Sequence, residues 1–408
     1  MRCRHCNNAL KTQLVDLGSA PPSNNYLTKS DLSSVERWYP LKVLVCESCW
    51  LTQTEDYNQA EDLFTDTYAY LSSTSKSWLD HAKAYSEQII SDLKLSNNSF
   101  VIELACNDGY LLKNFVAKGI PCLGIEPTLS TAKIAEKNGI PVLKEFFGET
   151  IGNELSSAGK QADLIIANNV YAHVPDINDF TKGIKGVLKE GGTVTFEFPH
   201  LLQLIKHLQF DTIYHEHFSY LSLYTVQLIL QKHGLKVFDV TRLTTHGGSL
   251  RVYACHDNDQ RQQSENVLAI LQEEKNFGLQ DAGIYKQFQN RINSIKYNLI
   301  SFLIEQKNLG KNVIAYGAAA KGNTLLNYAG IRPDLLSYVC DAAPLKQGKF
   351  LPGSRIPILN PNEIKETKPD YILILPWNIK EEIVSLHKYI QEWGGKFVVA
   401  VPELRVLP

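Results

Sequence analysis

Short apolar runs recur through the middle of the chain, at 100–104, 122–125, 164–167, 193–198, 235–240 and 249–254. Most are followed by a turn of small or polar residues and then by a stretch with helical spacing. Such alternation predicts a parallel sheet flanked by helices. From 257 to about 308 the period changes. Tyr285, Phe288, Ile292, Ile295, Leu299, Phe302 and Leu303 recur at steps of three and four, so the segment reads as helical throughout, with one apolar face. A second, smaller set of runs follows at 312–316, 336–340, 371–375 and 397–401. Before residue 65 the pattern alternates only loosely, as in Leu41-Lys42-Val43-Leu44-Val45. The expected organisation is an N-terminal module over 1–65, a central α/β domain over 66–256, and a helical linker with a smaller α/β domain over 257–408. No internal repeat is visible.

The 408 residues exceed what one core usually serves, which agrees with several domains. A net charge of −2 excludes the strongly basic footprint of a nucleic-acid partner. The opening MRCRHCNNALK lacks the apolar core of a signal peptide. No run reaches the roughly 18 apolar residues of a membrane helix. The expectation is a cytoplasmic protein without a membrane partner, a monomer or small homo-oligomer. In that compartment cysteine spacing points to metal or catalysis more than to disulfides.

The sharpest local signal is Cys3-x-x-Cys6 with Cys46-x-x-Cys49. Each pair sets two thiolates on one side of a tight loop, and together they make a tetrahedral S4 site suited to Zn²⁺. Four protein ligands leave no open position, so the metal is structural and contributes folding energy to a small module. Two unrelated pairs, a redox dithiol, or His5 in place of one thiolate are the alternatives.

A cofactor site is expected at the first central run. Glu103 ends it, and the turn Ala105-Cys106-Asn107-Asp108-Gly109 follows. Small residues let backbone approach a ligand closely. The second run ends in Glu126-Pro127, where a carboxylate can accept both hydroxyls of a ribose. Phe147, in Glu145-Phe146-Phe147-Gly148, could cover an adenine, and Asn168 and Asn169 close the fourth run. The order of these elements fits a class I (Rossmann-like) methyltransferase fold holding S-adenosylmethionine. An acid on the second strand also fits NAD, but the turn lacks GxGxxG; it is equally poor in glycine for a methyltransferase.

Tyr214-His215-Glu216-His217 places four polar or titratable groups in a row, costly to bury without partners. A catalytic cluster, a second metal site through the HxH pair, or a structural polar node would each explain it. His246, followed by Gly247-Gly248, sits in a loop or hairpin turn that could touch ligand. Gly317-Ala318-Ala319-Ala320-Lys321-Gly322-Asn323 joins a strand to a helix, and a helix N-terminus binds phosphate well. Lys321, Asn323, Lys346 and Lys349 could supply further contacts there.

Taken together, the cysteine pairs, the Glu-Leu-Ala-Cys-Asn-Asp-Gly turn, Asn168-Asn-Val-Tyr-Ala-His173, Tyr214-His-Glu-His217, Tyr316-Gly-Ala-Ala-Ala-Lys-Gly-Asn323 and Leu375-Pro-Trp-Asn378 resemble the deoxysugar C-methyltransferases, across essentially the whole chain. That family acts at C3 of dTDP-linked 4-keto sugars. The resemblance implies zinc, S-adenosylmethionine and a nucleotide-sugar substrate held between the central and C-terminal domains. It implies His217 as the base that removes a proton next to the ketone, with Glu216 orienting it or a substrate hydroxyl. Tyr214 and His173 would donate to the developing oxyanion, and Tyr68 and Tyr70 would approach the sugar. The competing readings are methylation at oxygen or nitrogen of a small metabolite, a non-catalytic sensor of S-adenosylmethionine or a nucleotide, and nucleic-acid methylation.

Overall fold

The computed structural model describes residues 1–55, 57 and 71–407. Tyr68 and Tyr70 lie outside the described residues. Three sheets organise the described residues.

The first is antiparallel. It is made by β1 (Thr12–Ala20), β2 (Tyr39–Val45), β3 (Thr52–Thr54) and, much later in sequence, β9 (Ser219–Tyr220). The N-terminal module thus completes its sheet with a strand from the central region, with Gln53 opposite Ser219. Its inner face, including Val15, Leu41, Val43 and Val45, shares one apolar core with the C-terminal third.

Helix α1 (Lys76–Asp92) leads into the seven-stranded central sheet, ordered β10-β11-β8-β7-β4-β5-β6. Its members are β4 (Val101–Leu104), β5 (Cys122–Ile125), β6 (Val142–Leu143), β7 (Ala162–Asn168), β8 (Leu188–Pro199), β10 (Leu235–Leu243) and β11 (Ser249–His256). β6 to β8 run parallel, and β11 and β10 close one edge antiparallel. Helices cover both faces, so β4 is buried at every position, which explains its unbroken apolar run. The chain builds outward from β4 to β6, then returns to the other side of β4 at β7. Ligands in such sheets bind at the strand ends where the order reverses.

Helix α2 (Leu223–Lys232) lies between β9 and β10. The stretch read as one continuous helix is broken instead. Residues 257–264 are not helical, and three helices follow: α3 (Glu265–Phe277), α4 (Ala282–Lys286) and α5 (Phe288–Asn308). Gly278, in the left-handed conformation, ends α3, and the Asp281 side chain caps α4. Apolar periodicity reports a buried face but is blind to such punctuation.

The third sheet is ordered β14-β13-β12-β15-β16-β17. It comprises β12 (Val313–Tyr316), β13 (Val339–Cys340), β14 (Ile358–Leu359), β15 (Tyr371–Ile374), β16 (Lys396–Val399) and the antiparallel β17 (Arg405–Leu407). Helix α6 (Ala320–Ala329) follows β12. Again the first strand, β12, sits where the order reverses. β13 is shorter than its apolar run, because only Val339 and Cys340 pair with neighbours.

Among the described residues, no helix is long and apolar enough to cross a membrane.

Candidate active site

Two knuckles of equal shape hold the cysteines. The Asn7 N–H donates to the Cys3 carbonyl (2.9 Å), and the Trp50 N–H donates to the Cys46 carbonyl (2.7 Å). Asn7 and Trp50, each one residue past its pair, both have positive φ, 62° and 60°. The turns bring all four sulfurs within 4.8 Å of one another, with Cys3–Cys49 at 3.5 Å and Cys6–Cys46 at 3.4 Å. Four thiolates at about 2.3 Å from a tetrahedral Zn²⁺ stand about 3.8 Å apart, so the set fits the ion. Side-chain amides of Gln53 and Asn8 point at the Cys3 and Cys6 sulfurs, each at 3.3 Å. His5 is not part of the set: its Nδ1 is 2.9 Å from Asn178 Oδ1.

A cavity of about 390 Å³ opens where the three sheets meet, at the C-terminal end of β4 and β7. Of the cofactor candidates, Ala105, Asn107, Glu126, Pro127, Phe147, Asn168 and Asn169 line it. Ala105, Asn107 and Asn169 have φ of 55°, 51° and 56°. At Ala105 and Asn107 the turn therefore takes the left-handed shape that glycine would supply, at a cost of roughly 1–2 kcal/mol for the alanine and less for the asparagine. This accounts for its low glycine content. Gly109, with φ of 77°, packs tightly against Ala135 and Ile140 behind the wall, and Glu103 and Asp108 also stand behind it. Asp108 Oδ2 accepts the Ser73 N–H (3.1 Å), and Asn107 Oδ1 accepts the Ser72 N–H (3.0 Å), so segment 72–73 is fastened over the turn.

The charge of this wall identifies the kind of ligand it suits. Glu103 is buried with one carboxylate oxygen lacking a hydrogen-bond partner among the described residues, and its pKa is raised well above the usual range by burial and by Asp108 and Glu126. Both side-chain polar atoms of Asn169 are likewise buried without partners among the described residues. Glu126 Oε2 accepts the Asn107 N–H and Oε1 the Thr128 N–H, each at 2.9 Å, which fixes the carboxylate while leaving lone pairs for ribose hydroxyls. Three carboxyls crowded round one turn, with Glu103 resisting ionisation for want of a nearby cation, would disfavour the pyrophosphate of a dinucleotide and gain from the sulfonium and ammonium of S-adenosylmethionine. The residues present fit that cofactor.

The opposite wall carries His173, Tyr214, Glu216, His217, His246, Lys321 and Lys346. The Tyr214 and His217 rings lie 4.0 Å apart, and those of His173 and His217 4.6 Å. His217 Nδ1 is 2.8 Å from the Thr212 carbonyl. A carbonyl only accepts, so Nδ1 carries the hydrogen and Nε2 keeps its lone pair. Burial, aided by His173, depresses the His217 pKa well below 6.5, and burial lowers His173 and His246 to about 4. All three imidazoles are neutral at pH 7.

His215 turns away from the cavity, its Nε2 within 3.3 Å of the Tyr39 and Pro40 carbonyls on β2. The HxH pair therefore does not converge, and among the described residues the only clustered metal donors are the four cysteines. Glu216 does not orient His217, a task taken by Thr212. Its two oxygens instead accept the Asn24 side-chain amide at 2.8 and 2.9 Å. Asn323 and Lys349 stand outside the cavity lining. The Asn323 amide is buried and donates to the Ser23 carbonyl (2.6 Å), tying α6 to the N-terminal module.

Sequence reasoning passed over Asn24, Trp78 and Tyr110, which also line the cavity. Trp78 stacks on Tyr110 at 6.2 Å and leans on His246 at 5.2 Å. Nothing local distinguishes Asn24 from Asn25 beside it. Glu197, buried on β8, accepts from Arg251 (2.9 Å) and pairs with His81 (2.8 Å), while its carbonyl receives the Asn169 N–H. This node fixes the strand end that presents Asn168 and Asn169.

Comparison with known proteins gives three family matches: "Putative zinc binding domain" over residues 3–64, "Methyltransferase domain" over 78–240, and "C-methyltransferase C-terminal domain" over 244–402. C-methyltransferase NovU of Streptomyces niveus is 33% identical over 405 residues, covering 99% of this chain and 96% of its own. A ubiquinone biosynthesis O-methyltransferase of Methylobacterium nodulans is 27% identical over 96 residues, 22% of this chain and 37% of its own. Among solved structures, the PH0226 protein of Pyrococcus horikoshii OT3 superposes with a TM-score of 0.38 at 15% identity, over 46% of this chain and 94% of its own.

Proposed function

Because this chain belongs to the C-methyltransferase family that includes NovU, and is an S-adenosylmethionine-dependent enzyme with a zinc-binding module, we propose that it methylates a nucleotide-linked 4-keto-6-deoxysugar of the dTDP or GDP type at C3, next to the ketone. One observation carries this reading. A neutral histidine whose acceptor nitrogen has no hydrogen-bond partner among the described residues shares one cavity with an acidic cofactor cradle and with cationic groups of the C-terminal unit.

His217 Nε2 takes the proton from the carbon beside the ketone. Its depressed pKa keeps it unprotonated at neutral pH, so no fraction of the enzyme waits in the wrong state. Tyr214 and neutral His173 flank it; the Tyr214 hydroxyl is the donor for the oxygen that gains charge, and His173, which hydrogen-bonds the Glu216 main chain, lines the same side of the pocket. Glu216, held by Asn24, accepts from a sugar hydroxyl. The N-terminus of α6 at Ala319 and Ala320, with Lys346, receives the diphosphate. When bound, S-adenosylmethionine supplies an electrophilic methyl group, so positioning is most of what remains for the protein to do. The central domain (66–256) then holds the cofactor and the C-terminal unit (257–408) the nucleotide, with the zinc module (1–65) closing the cavity through Asn24.

The test is a methyl-transfer reaction in deuterated water with labelled S-adenosylmethionine and a panel of nucleotide 4-keto-6-deoxysugars. The expected result is a carbon-methylated product, with solvent deuterium entering the carbon next to the ketone when the methyl donor is omitted. Methylation at oxygen or nitrogen, or no reaction with any keto-sugar, would overturn the substrate and the carbanion route.

A further inference from the structure

We propose that Lys321 is the cation that holds the negative charge developing on the substrate's ketone oxygen when the neighbouring carbon loses its proton. The inference rests on the keto-sugar reading above and adds a catalytic residue to it.

The chemistry sets the need. In the proton-transfer step a C–H bond breaks, an N–H bond forms at His217 Nε2, and the electron pair left behind moves onto the carbonyl oxygen as an enolate. A neutral imidazole is a weak base beside a ketone's α-carbon, and one held below its normal pKa is weaker still. Such a base succeeds only where the product anion is strongly stabilised. A fixed cation in a site closed to water does that most effectively.

The geometry supplies such a cation. Lys321 stands in the first turn of α6 and lines the same cavity as His173, Tyr214, His217 and His246. Among the described residues one of its three donors is spent, on Asn378 Oδ1 at 2.7 Å. Its Nζ lies 4.8 Å from the centre of the Trp377 ring, and the Trp377 indole N–H donates to buried Asp211 at 2.6 Å. The ammonium is therefore held from behind by a neutral amide and an aromatic face, with the carboxylate one residue further back. Among the described residues Asp211 acts on it only through space, with Trp377 between them, and no carboxylate forms a direct ion pair with it. An ammonium on a half-buried side chain without such a pair is left poorly compensated until an anion arrives. Its charge is felt by His217 and His246, whose protonation it opposes.

Lys346 makes the contrast. It donates to the Ala318 carbonyl at 2.8 Å, lies 3.7 Å from Asp341, and sits over the Tyr26 ring. Lys346 stands by the turn that receives the diphosphate; Lys321 stands with the histidines.

The experiment compares wild type with Lys321→Met and Lys321→Arg. Three quantities are read: solvent-deuterium wash-in to the keto-sugar without methyl donor, kcat at saturating substrate, and the Kd for thymidine 5′-diphosphate alone. Lys321→Met is expected to lower wash-in and kcat together by about 100-fold, with the diphosphate Kd within about threefold of wild type, and Lys321→Arg to recover part of the loss. A weakened diphosphate Kd with wash-in intact at saturation would make Lys321 a phosphate contact and overturn the inference. So would a kcat within about threefold of wild type. Should Lys321→Met fail to fold by circular dichroism, Asn378→Ala decides: about a tenfold fall in kcat at unchanged diphosphate Kd supports the assignment, and unchanged kcat sinks it. Absence of wash-in by the wild type would instead overturn the keto-sugar reading, and this inference with it.

Discussion

The turn after β4 and the turn after β12 are built alike and charged oppositely. Each donates a main-chain N–H to the end of the neighbouring strand, Cys106 to the Ile125 carbonyl (3.2 Å) and Gly317 to the Cys340 carbonyl (2.7 Å). Each donates another to an acid just past that strand, Asn107 to Glu126 (2.9 Å) and Ala318 to Asp341 (2.7 Å). The second oxygen of each acid accepts the N–H two residues on, from Thr128 (2.9 Å) and Ala343 (2.8 Å). Around Glu126 the further ionisable groups are the acids Glu103 and Asp108; around Asp341 they are the bases Lys346 and, across the turn, Lys321. One backbone device thus serves a cationic cofactor at one edge of the cavity and an anionic substrate at the other. The main chain sets the shape of a binding turn, and a few side chains set the sign of its ligand.

The largest blow to both turns at once is loss of the zinc module. Its segment 23–26 leans on both halves, through Asn24 on Glu216 and Tyr26 on the Ala318 carbonyl (2.6 Å). Cys46→Ser is expected to drop metal content well below one zinc per chain and to abolish folded protein, or cofactor and diphosphate binding together. Retention of both affinities without metal would show that the turns stand alone. Next comes His217→Asn, which sits between the turns: about a 10³-fold loss of kcat, with S-adenosylmethionine and diphosphate affinities kept, by kinetics and calorimetry. Glu126→Ala should separate the turns, weakening S-adenosylmethionine by about 10- to 100-fold while sparing the diphosphate, since hydrogen bonds to a charged group contribute about 1.5–3 kcal/mol.

The pH dependence separates them by sign. Burial lowers His173 and His246 to about 4 in the folded protein, so between that value and 6.5 the unfolded chain binds more protons. Stability from these groups is complete above 6.5 and falls as pH drops toward 4, by up to about 3 kcal/mol each. Glu103 runs the other way. Its raised pKa means the folded protein holds a proton longer, so stability falls as pH climbs past 4.5. A cationic cofactor offsets that ionisation. The rise in melting temperature caused by S-adenosylmethionine should therefore be larger at pH 7 than at pH 5; an equal or smaller rise would deny that the acids face its charge. The smallest effect tests the backbone. Ala105→Gly relieves a left-handed residue and should stabilise by about 0.5 kcal/mol. Gly317→Ala should destabilise by roughly 1–3 kcal/mol in thermal melts, because φ is 92° and a Cβ would stand 2.4 Å from the Pro376 ring.

Much of this was legible in the residues. The apolar runs located β4, β5, β7, β8, β11 and β12 because strands covered on both faces need near-unbroken apolar stretches, and edge strand β10 through its shorter run over 235–240. The two CxxC pairs announced the metal cluster because thiolate spacing is a local property of a turn. The residues of the Ala105–Gly109 turn, Glu126 and the Tyr214–His217 row could be singled out because polar or small residues in apolar surroundings need a reason. The breaks at Gly278 and Gln287 were not read, since the apolar face continues across them.

The sequence by itself determined the core strands of the central and C-terminal sheets, the zinc ligands and the chemistry available, because these depend on periodicity and spacing within a few residues. Tertiary structure decided which groups meet. It sent His215 to the N-terminal sheet and His217 to the cavity, gave Glu216 to Asn24 some 190 residues away, and set Lys321 among histidines. It also made one antiparallel sheet from strands at both ends of a long stretch of chain. Such pairings have no local signal: they are fixed by how whole elements pack, and a side chain's pKa and partners follow only once that packing has excluded water.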